Sequence, residues 1–168
     1  MGHTIIIDRA LAADTWALLR DDAAIPETGD VIVPMTHWLA GSDALGRRNG
    51  RTGVWLATSD DPDTLAAHTA FPPLIAVNFP QFTDGRGYSI ARLLRQRHHF
   101  TGELRAVGDI GRDQLFYLAR VGFNAFDLKP GQDLDAALAA FAEFSDAYQS
   151  SAAEPRPAYR RRLEGAKA

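Results

Sequence analysis

The sequence predicts an α/β fold of about five mainly parallel strands in repeated βα units. Three observations carry this. From residue 30 onward, short β-type runs alternate with stretches of helical period, the order that gives a parallel sheet with crossover helices. Pro73-Leu74-Ile75-Ala76-Val77-Asn78-Phe79 is almost continuously apolar, as a strand covered on both faces must be. Gly122 directly follows the apolar stripe Leu115, Leu118 and Ala119, where a left-handed residue would end a helix. A doubly wound sheet is the first expectation and a partial TIM-like barrel the alternative. The barrel stays open because the stretch 103–109 carries charges on one strand face, and barrels hold polar sites at strand ends.

The elements follow in order. Ile5-Ile6-Ile7 reads as a short edge strand and Ala12 to Arg20 as a helix. Asp30 to Pro34 and Gly53 to Ala57 read as strands. A short helix opens at Thr36, and a Gly- and Arg-rich loop covers Ser42 to Gly53. A further helix starts after Asp60-Asp61-Pro62. Tyr88 to Arg97 is helical, with Ile90, Leu93 and Leu94 as its apolar stripe. Glu103 to Asp109 is a strand, Asp113 to Val121 a helix and Asn124 to Leu128 a short strand. Asp133 caps a last helix whose apolar positions run from Leu134 to Tyr148. This divides the chain into an N-terminal segment 1–29 packed on the domain, an α/β domain 30–149 and a basic C-terminal tail 150–168. The tail is expected to be flexible or a loosely docked helix.

Composition narrows the chemistry. With 168 residues the chain suits one domain that buries its own core. A formal net charge of −3 argues against nucleic-acid binding, which favours a basic excess. There is no cysteine, which excludes disulfides, thiolate metal sites, chain-borne iron–sulfur clusters and thiol nucleophiles. The five histidines show no metal-ligand spacing, so no metal is expected. No apolar run reaches the roughly 20 residues of a membrane span. The first residues lack the basic stretch of a secretory leader. A cytoplasmic location is expected. Trp16, Trp38 and Trp55 are read as packing residues rather than a stacking platform.

Two segments carry candidate chemistry. Phe79-Pro80-Gln81-Phe82-Thr83-Asp84-Gly85-Arg86-Gly87-Tyr88-Ser89 leads from an apolar strand into a helix. Ligands of α/β folds bind beyond the carboxyl ends of the strands. There Gly85 and Gly87 would let backbone approach a ligand, and Arg86 would add a forked cation. Asn78, Asp84 and Tyr88 complete the candidate cradle, which suits a small oxyanion. The competing reading is a tight connection in which Arg86 pairs with Asp84 or lies in solvent.

The second segment is Glu103-Leu104-Arg105-Ala106-Val107-Gly108-Asp109. Strand alternation puts Glu103, Arg105, Val107 and Asp109 on one face. Asp109 and Glu103 are candidate acid–base residues. Arg105 either binds an anion or bridges Glu103 and Asp109 as a structural ion pair. If the strands are parallel, Asn78, Arg86, Asp109 and Lys129 converge on one rim.

These residues also carry a resemblance. Phe79-Pro80-x-Phe82-Thr83-Asp84-Gly85-Arg86-Gly87-Tyr88-Ser89-x-Ala91-Arg92-Leu93-Leu94-Arg95, then Gly102 to Asp109, Asp113-Gln114-Leu115 and Gly122-Phe123-x-Ala125-Phe126 resemble the bacterial family designated domain of unknown function 934. Members are described as oxidoreductases of sulfite reduction, a label resting on association with sulfite reductase and with the reductase of activated sulfate. The resemblance implies that pathway and those partners. It supplies no catalytic residues. The chain offers neither cluster cysteines nor a dinucleotide fingerprint, so no cofactor is evident and any redox cofactor would come from a partner. Three functions stand: an accessory protein that binds an oxyanion or docks on a reductase, a stand-alone acid–base enzyme with arginine anion binding, and a purely structural partner.

Overall fold

A computed structural model describes residues 3–20, 23–68, 71–141, 149–152 and 154–165. Eight strands form one sheet: β1 (Thr4–Ile7), β2 (Ala10–Ala13), β3 (Trp16–Leu18), β4 (Asp30–Pro34), β5 (Thr52–Leu56), β6 (Leu74–Phe79), β7 (Glu103–Gly108) and β8 (Ala125–Phe126). Six α-helices are described: α1 (Met35–Gly46), α2 (Pro62–His68), α3 (Arg86–Arg92), α4 (Leu115–Val121), α5 (Leu134–Ala140) and α6 (Ala158–Gly165). α3 continues as a π-helical turn, Leu93–Arg97.

The strand order is β2-β1-β8-β7-β6-β5-β4-β3. From β3 to β8 every neighbouring pair is parallel, and β1 runs antiparallel to both β2 and β8. Through the parallel part the order rises from β3 to β8 without a reversal, so the doubly wound expectation is corrected. A doubly wound sheet reverses direction at a switch point and so covers both faces with helices. Here the crossovers from β3 to β8 always advance the same way, and since parallel crossovers keep one hand they put the helices on one face. That face forms the larger apolar core, with Val31, Val33, Val54, Leu56, Ile75, Val77, Leu104 and Ala106 from the strands and Ile90, Leu94, Leu115 and Leu118 from the helices. The alternate strand positions, Ile32, Trp55, Leu74, Ala76 and Val107, form a second cluster on the inner face.

The sheet must curl to hide that inner face, and the chain shows how. Strands lie about 4.8 Å apart, so eight laid flat would separate the edges by roughly 34 Å. The edge strands β2 and β3 are joined only by Asp14 and Thr15, a span of about 11 Å at most. The edges therefore lie close together, and the sheet is a curled half-barrel. The inner face is closed at the seam by Asp14 and Trp16. Arg51 lies over the Trp16 ring at 4.6 Å and pairs with Asp30.

Several sequence expectations change. Ala12 to Arg20 is not a helix: most of it supplies β2 and β3, because residues on both sides of Asp14 pair with opposite edges. Ile5-Ile6-Ile7 is an inner strand between β2 and β8, not an edge. α1 runs on to Gly46 through a kink at Gly41, where a loop was expected. Other expectations hold. Gly122 ends α4 at φ +115°, and the Asp133 side chain caps α5 by accepting from the amides of Asp135 and Ala136. The expected extension of that last helix to Phe144 and Tyr148 lies outside the described residues. In the tail, Ala158–Gly165 is helical. Trp55 is buried and donates from Nε1 to the Leu19 carbonyl at 2.9 Å. No described helix is long and apolar enough to cross a membrane.

Among the described residues Arg105 is the largest side chain that is fully buried. It does not bridge Glu103 to Asp109. Its Nε donates to Glu103 Oε1 at 2.8 Å, its Nη2 stands 2.7 Å from the same oxygen, and its Nη1 donates to Asp14 Oδ2 at 2.9 Å. Alternation along β7 turns Arg105 to the inner face, where the seam residue Asp14 is nearer than the strand's far end. Removing one partner of a buried charge leaves the other uncompensated. Asp14→Ala is expected to lower unfolding free energy by about 3 kcal/mol or more in urea titration. Arg51→Ala, which breaks an exposed pair, should cost about 1 kcal/mol or less by its charge alone. Equal effects of the two changes would remove the Asp14–Arg105 pair from its role in closing the sheet.

Candidate functional site: the carboxyl rim

The loops after β6, β7 and β8 meet at the carboxyl end of the sheet. The β6 loop turns back at once, because Asp84 N donates to the Gln81 carbonyl at 3.0 Å. The Asp84 carboxylate then organises the entry into α3. Its Oδ1 accepts from Arg86 N at 3.1 Å and Nε at 2.9 Å, and its Oδ2 accepts from Arg86 Nη2 at 2.7 Å and Thr58 Oγ1 at 2.9 Å. Arg86 is therefore paired, as the competing reading held. The Arg86 guanidinium beside Asp84 holds its carboxyl well below the usual carboxylate range.

Asp109 does the same for the other side of the loop. Its Oδ2 accepts from Phe82 N at 3.0 Å and its Oδ1 from Lys129 Nζ at 3.1 Å. Lys129 and the Phe82 amide lower its pKa. Gln114 is buried and closes the circuit: Oε1 accepts from Gly111 N at 3.0 Å, and Nε2 donates to the Phe82 carbonyl at 3.2 Å and to Tyr88 Oη at 3.5 Å. Burial raises the Tyr88 phenol, whose ring packs edge-on against Phe79. Both backbone polar groups of Phe82 are thus tied down, while its side chain stays 45% exposed.

Two glycines do packing work that the sequence did not show. A Cβ on Gly87 would lie 2.4 Å from the Phe79 ring, so Gly87 lets α3 sit directly on β6. Gly108 has φ +100°, and a Cβ there would meet the Phe79 carbonyl oxygen at 2.4 Å. That left-handed residue releases the chain from β7 and turns Asp109 toward the β6 loop. Gly85 is exposed with open space about it.

The structure brings together Asp84, Gly85, Arg86, Tyr88, Asp109 and Lys129. Asn78 stands at the carboxyl end of β6, with Oδ1 beside Gly108. Glu103 and Arg105 are elsewhere: Glu103 begins β7 at the opposite end of the sheet, and Arg105 is sealed inside. They cannot share a rim pocket with Arg86 and Asp109. Sequence reasoning missed Thr58, which reaches Asp84 from the β5 side, and gave Phe82 no role. Asp127 pairs with His3 at 2.6 Å, a contact between residues far apart in the chain. His98 joins Asp63 at 2.6 Å. Among the described residues no group of three or more His, Cys, Asp or Glu could hold a metal ion.

Chemically, the rim holds two ionised carboxylates and two cations in fixed pairs. A general acid or base is most effective with a pKa near the working pH, and both aspartates move away from it. Together, fold and rim define a βα half-barrel with a braced, charged loop cluster at its carboxyl end. The model of the family described as "Bacterial protein of unknown function (DUF934)" matches residues 53–159, and the chain belongs to that family. No curated protein and no solved structure matches it.

A depressed carboxylate pKa contributes stability above the unfolded value and loses it as pH falls through the folded one. Asp84→Asn should therefore lower the urea midpoint at neutral pH. The difference from wild type should shrink as pH drops from the ordinary 3.8 of this carboxyl toward its lower folded value. A difference unchanged down to about pH 2 would show that the loss is not electrostatic.

Proposed function

We propose that this protein is a cytoplasmic accessory component of assimilatory sulfite reduction that docks on a reductase through its carboxyl rim. The observation that carries the proposal is Phe82. An aromatic ring stands out from a loop held at both backbone groups, with the Asp84–Arg86 and Asp109–Lys129 pairs flanking it. Interfaces concentrate their energy in aromatic anchors surrounded by polar groups, and a braced loop loses little entropy on binding. The pathway and the partners, sulfite reductase or the reductase of activated sulfate, come from the family resemblance. Electrons and any redox cofactor belong to the partner in this reading.

The rival acid–base reading is less well supported, since Asp109 is ionised and committed to Lys129 and Phe82 N. Glu103 serves the buried arginine instead. Oxyanion binding by Arg86 would have to compete with the bidentate Asp84 pair.

Quantified capture of purified sulfite reductase tests the proposal, with the activated-sulfate reductase run in parallel. Phe82→Ala should weaken capture about tenfold or more, as expected for an aromatic hot spot, with little change in melting temperature. Lys129→Glu should weaken it through charge and make the residual binding less salt-sensitive. The docking role is lost if neither reductase is bound by wild type, or if Phe82→Ala binds as wild type does.

A further inference from the structure

The outer layer of the half-barrel contains a groove that the rim does not use. It has two lobes, of about 360 and about 380 Å³, which is the size of small-ligand sites. The first is lined by Arg92, Gln96, Arg120, Val121 and the chain at Ser150, Ser151, Ala152 and Pro155. The second shares Arg92 and Gln96 and adds Ser89, Leu93 and Arg97.

The local chemistry builds this groove. The π-helical turn admits one extra residue and rotates Arg95 into the protein. There it donates to the carbonyls of Gly122, Phe100 and Gly102 and to Asn124 Oδ1. Arg92 and Gln96 stay on the outer face, with Arg92 Nε donating to Gln96 Oε1 at 2.8 Å. That bond orients the guanidinium through Nε. The far wall is held by Arg120, whose Nη2 donates to the carbonyls of Gln149 and Ser150 and whose own carbonyl accepts from Ala152 N. Ser151 and Glu154 close a turn by reciprocal bonds. Cations suit the last turns of α3 and α4, but the helix dipole does not explain why both open onto one cavity.

We propose that this groove binds a small organic phosphate with a planar ring, the chemistry of a nucleoside monophosphate. The first lobe offers Arg92 and Arg120 with serines, the donor set for a tetrahedral oxyanion. The second offers Leu93, 36% exposed, as an apolar seat for a ring beside the same Arg92. Among the described residues no carboxylate lines either lobe, although the chain as a whole is net acidic. Neither Arg92 nor Leu93 contributes to the rim.

Adenosine 5′-monophosphate is the probe, titrated calorimetrically and by thermal shift at fixed ionic strength, with inorganic phosphate and adenosine as comparators. Wild type should show saturable binding and a saturable rise in melting temperature, stronger than with either comparator. Arg92→Gln should weaken binding roughly tenfold or more, the loss of a charge-assisted contact. Leu93→Ser should weaken the nucleotide but not inorganic phosphate. Phe82→Ala should bind the nucleotide as wild type does, so failure here and failure of reductase docking are distinguishable. Absence of saturable nucleotide binding, or undiminished binding in Arg92→Gln, overturns the proposal.

Discussion

The buried guanidinium of Arg105 is the constraint around which the half-barrel closes. A sheet of eight strands with helices on one face has an inner face to hide, and the inner strand positions supply Trp55, Ile32, Leu74 and Val107 to fill it. They also supply a cation, which cannot stay inside without partners. One partner, Glu103, is on the same strand. The other, Asp14, sits in the two-residue link between the sheet's two edges. The pairing thus ties the middle of the sheet to its seam, and the hairpin and third strand fall into place on either side. Desolvation offsets much of the attraction within such a buried pair. What it fixes is which edge residues meet.

The rim is built on the same logic of satisfied charge. Asp84 and Asp109 each accept from a backbone amide and a cationic side chain, and each faces a different stretch of the loop after β6. Gln114 fills the remaining backbone requirement. Close packing completes the arrangement: Gly87 lets α3 touch Phe79, and Gly108 lets β7 end against the Phe79 carbonyl. Phe79 is therefore the contact between sheet, helix and loop, while Phe82, three residues on, is left to solvent. The contrast between these two aromatics sets a buried packing residue beside an exposed one in one short segment.

The rim and the outer groove differ in kind. The rim's charges are mutually neutralised, which suits contact with a protein surface, where unpaired ions are costly to desolvate. The groove gathers arginines, and among the described residues no carboxylate lines it, which suits a small anion. The two features adjoin in the chain, since the loop after β6 leads directly into α3 and its π turn.

Much was legible in the sequence. The apolar run through Phe79 identified a central parallel strand, because only a strand covered on both faces tolerates that composition. Gly122 and Asp133 marked helix ends through local backbone chemistry. Alternation placed Glu103 and Arg105 on one face, and the order of elements placed Asn78, Arg86, Asp109 and Lys129 toward one end. What the sequence could not decide were contacts between distant residues. Nothing local tells Ala12 to Leu18 to be two strands rather than a helix, since the choice depends on which edges are free to pair. Nothing local distinguishes Asp14 from Asp109 as the partner of Arg105, or shows that Thr58 reaches Asp84. Strand order and sheet curvature are set by crossover direction and by the short link at Asp14-Thr15. The tertiary structure alone therefore decided that one arginine is sealed in the core while others face solvent.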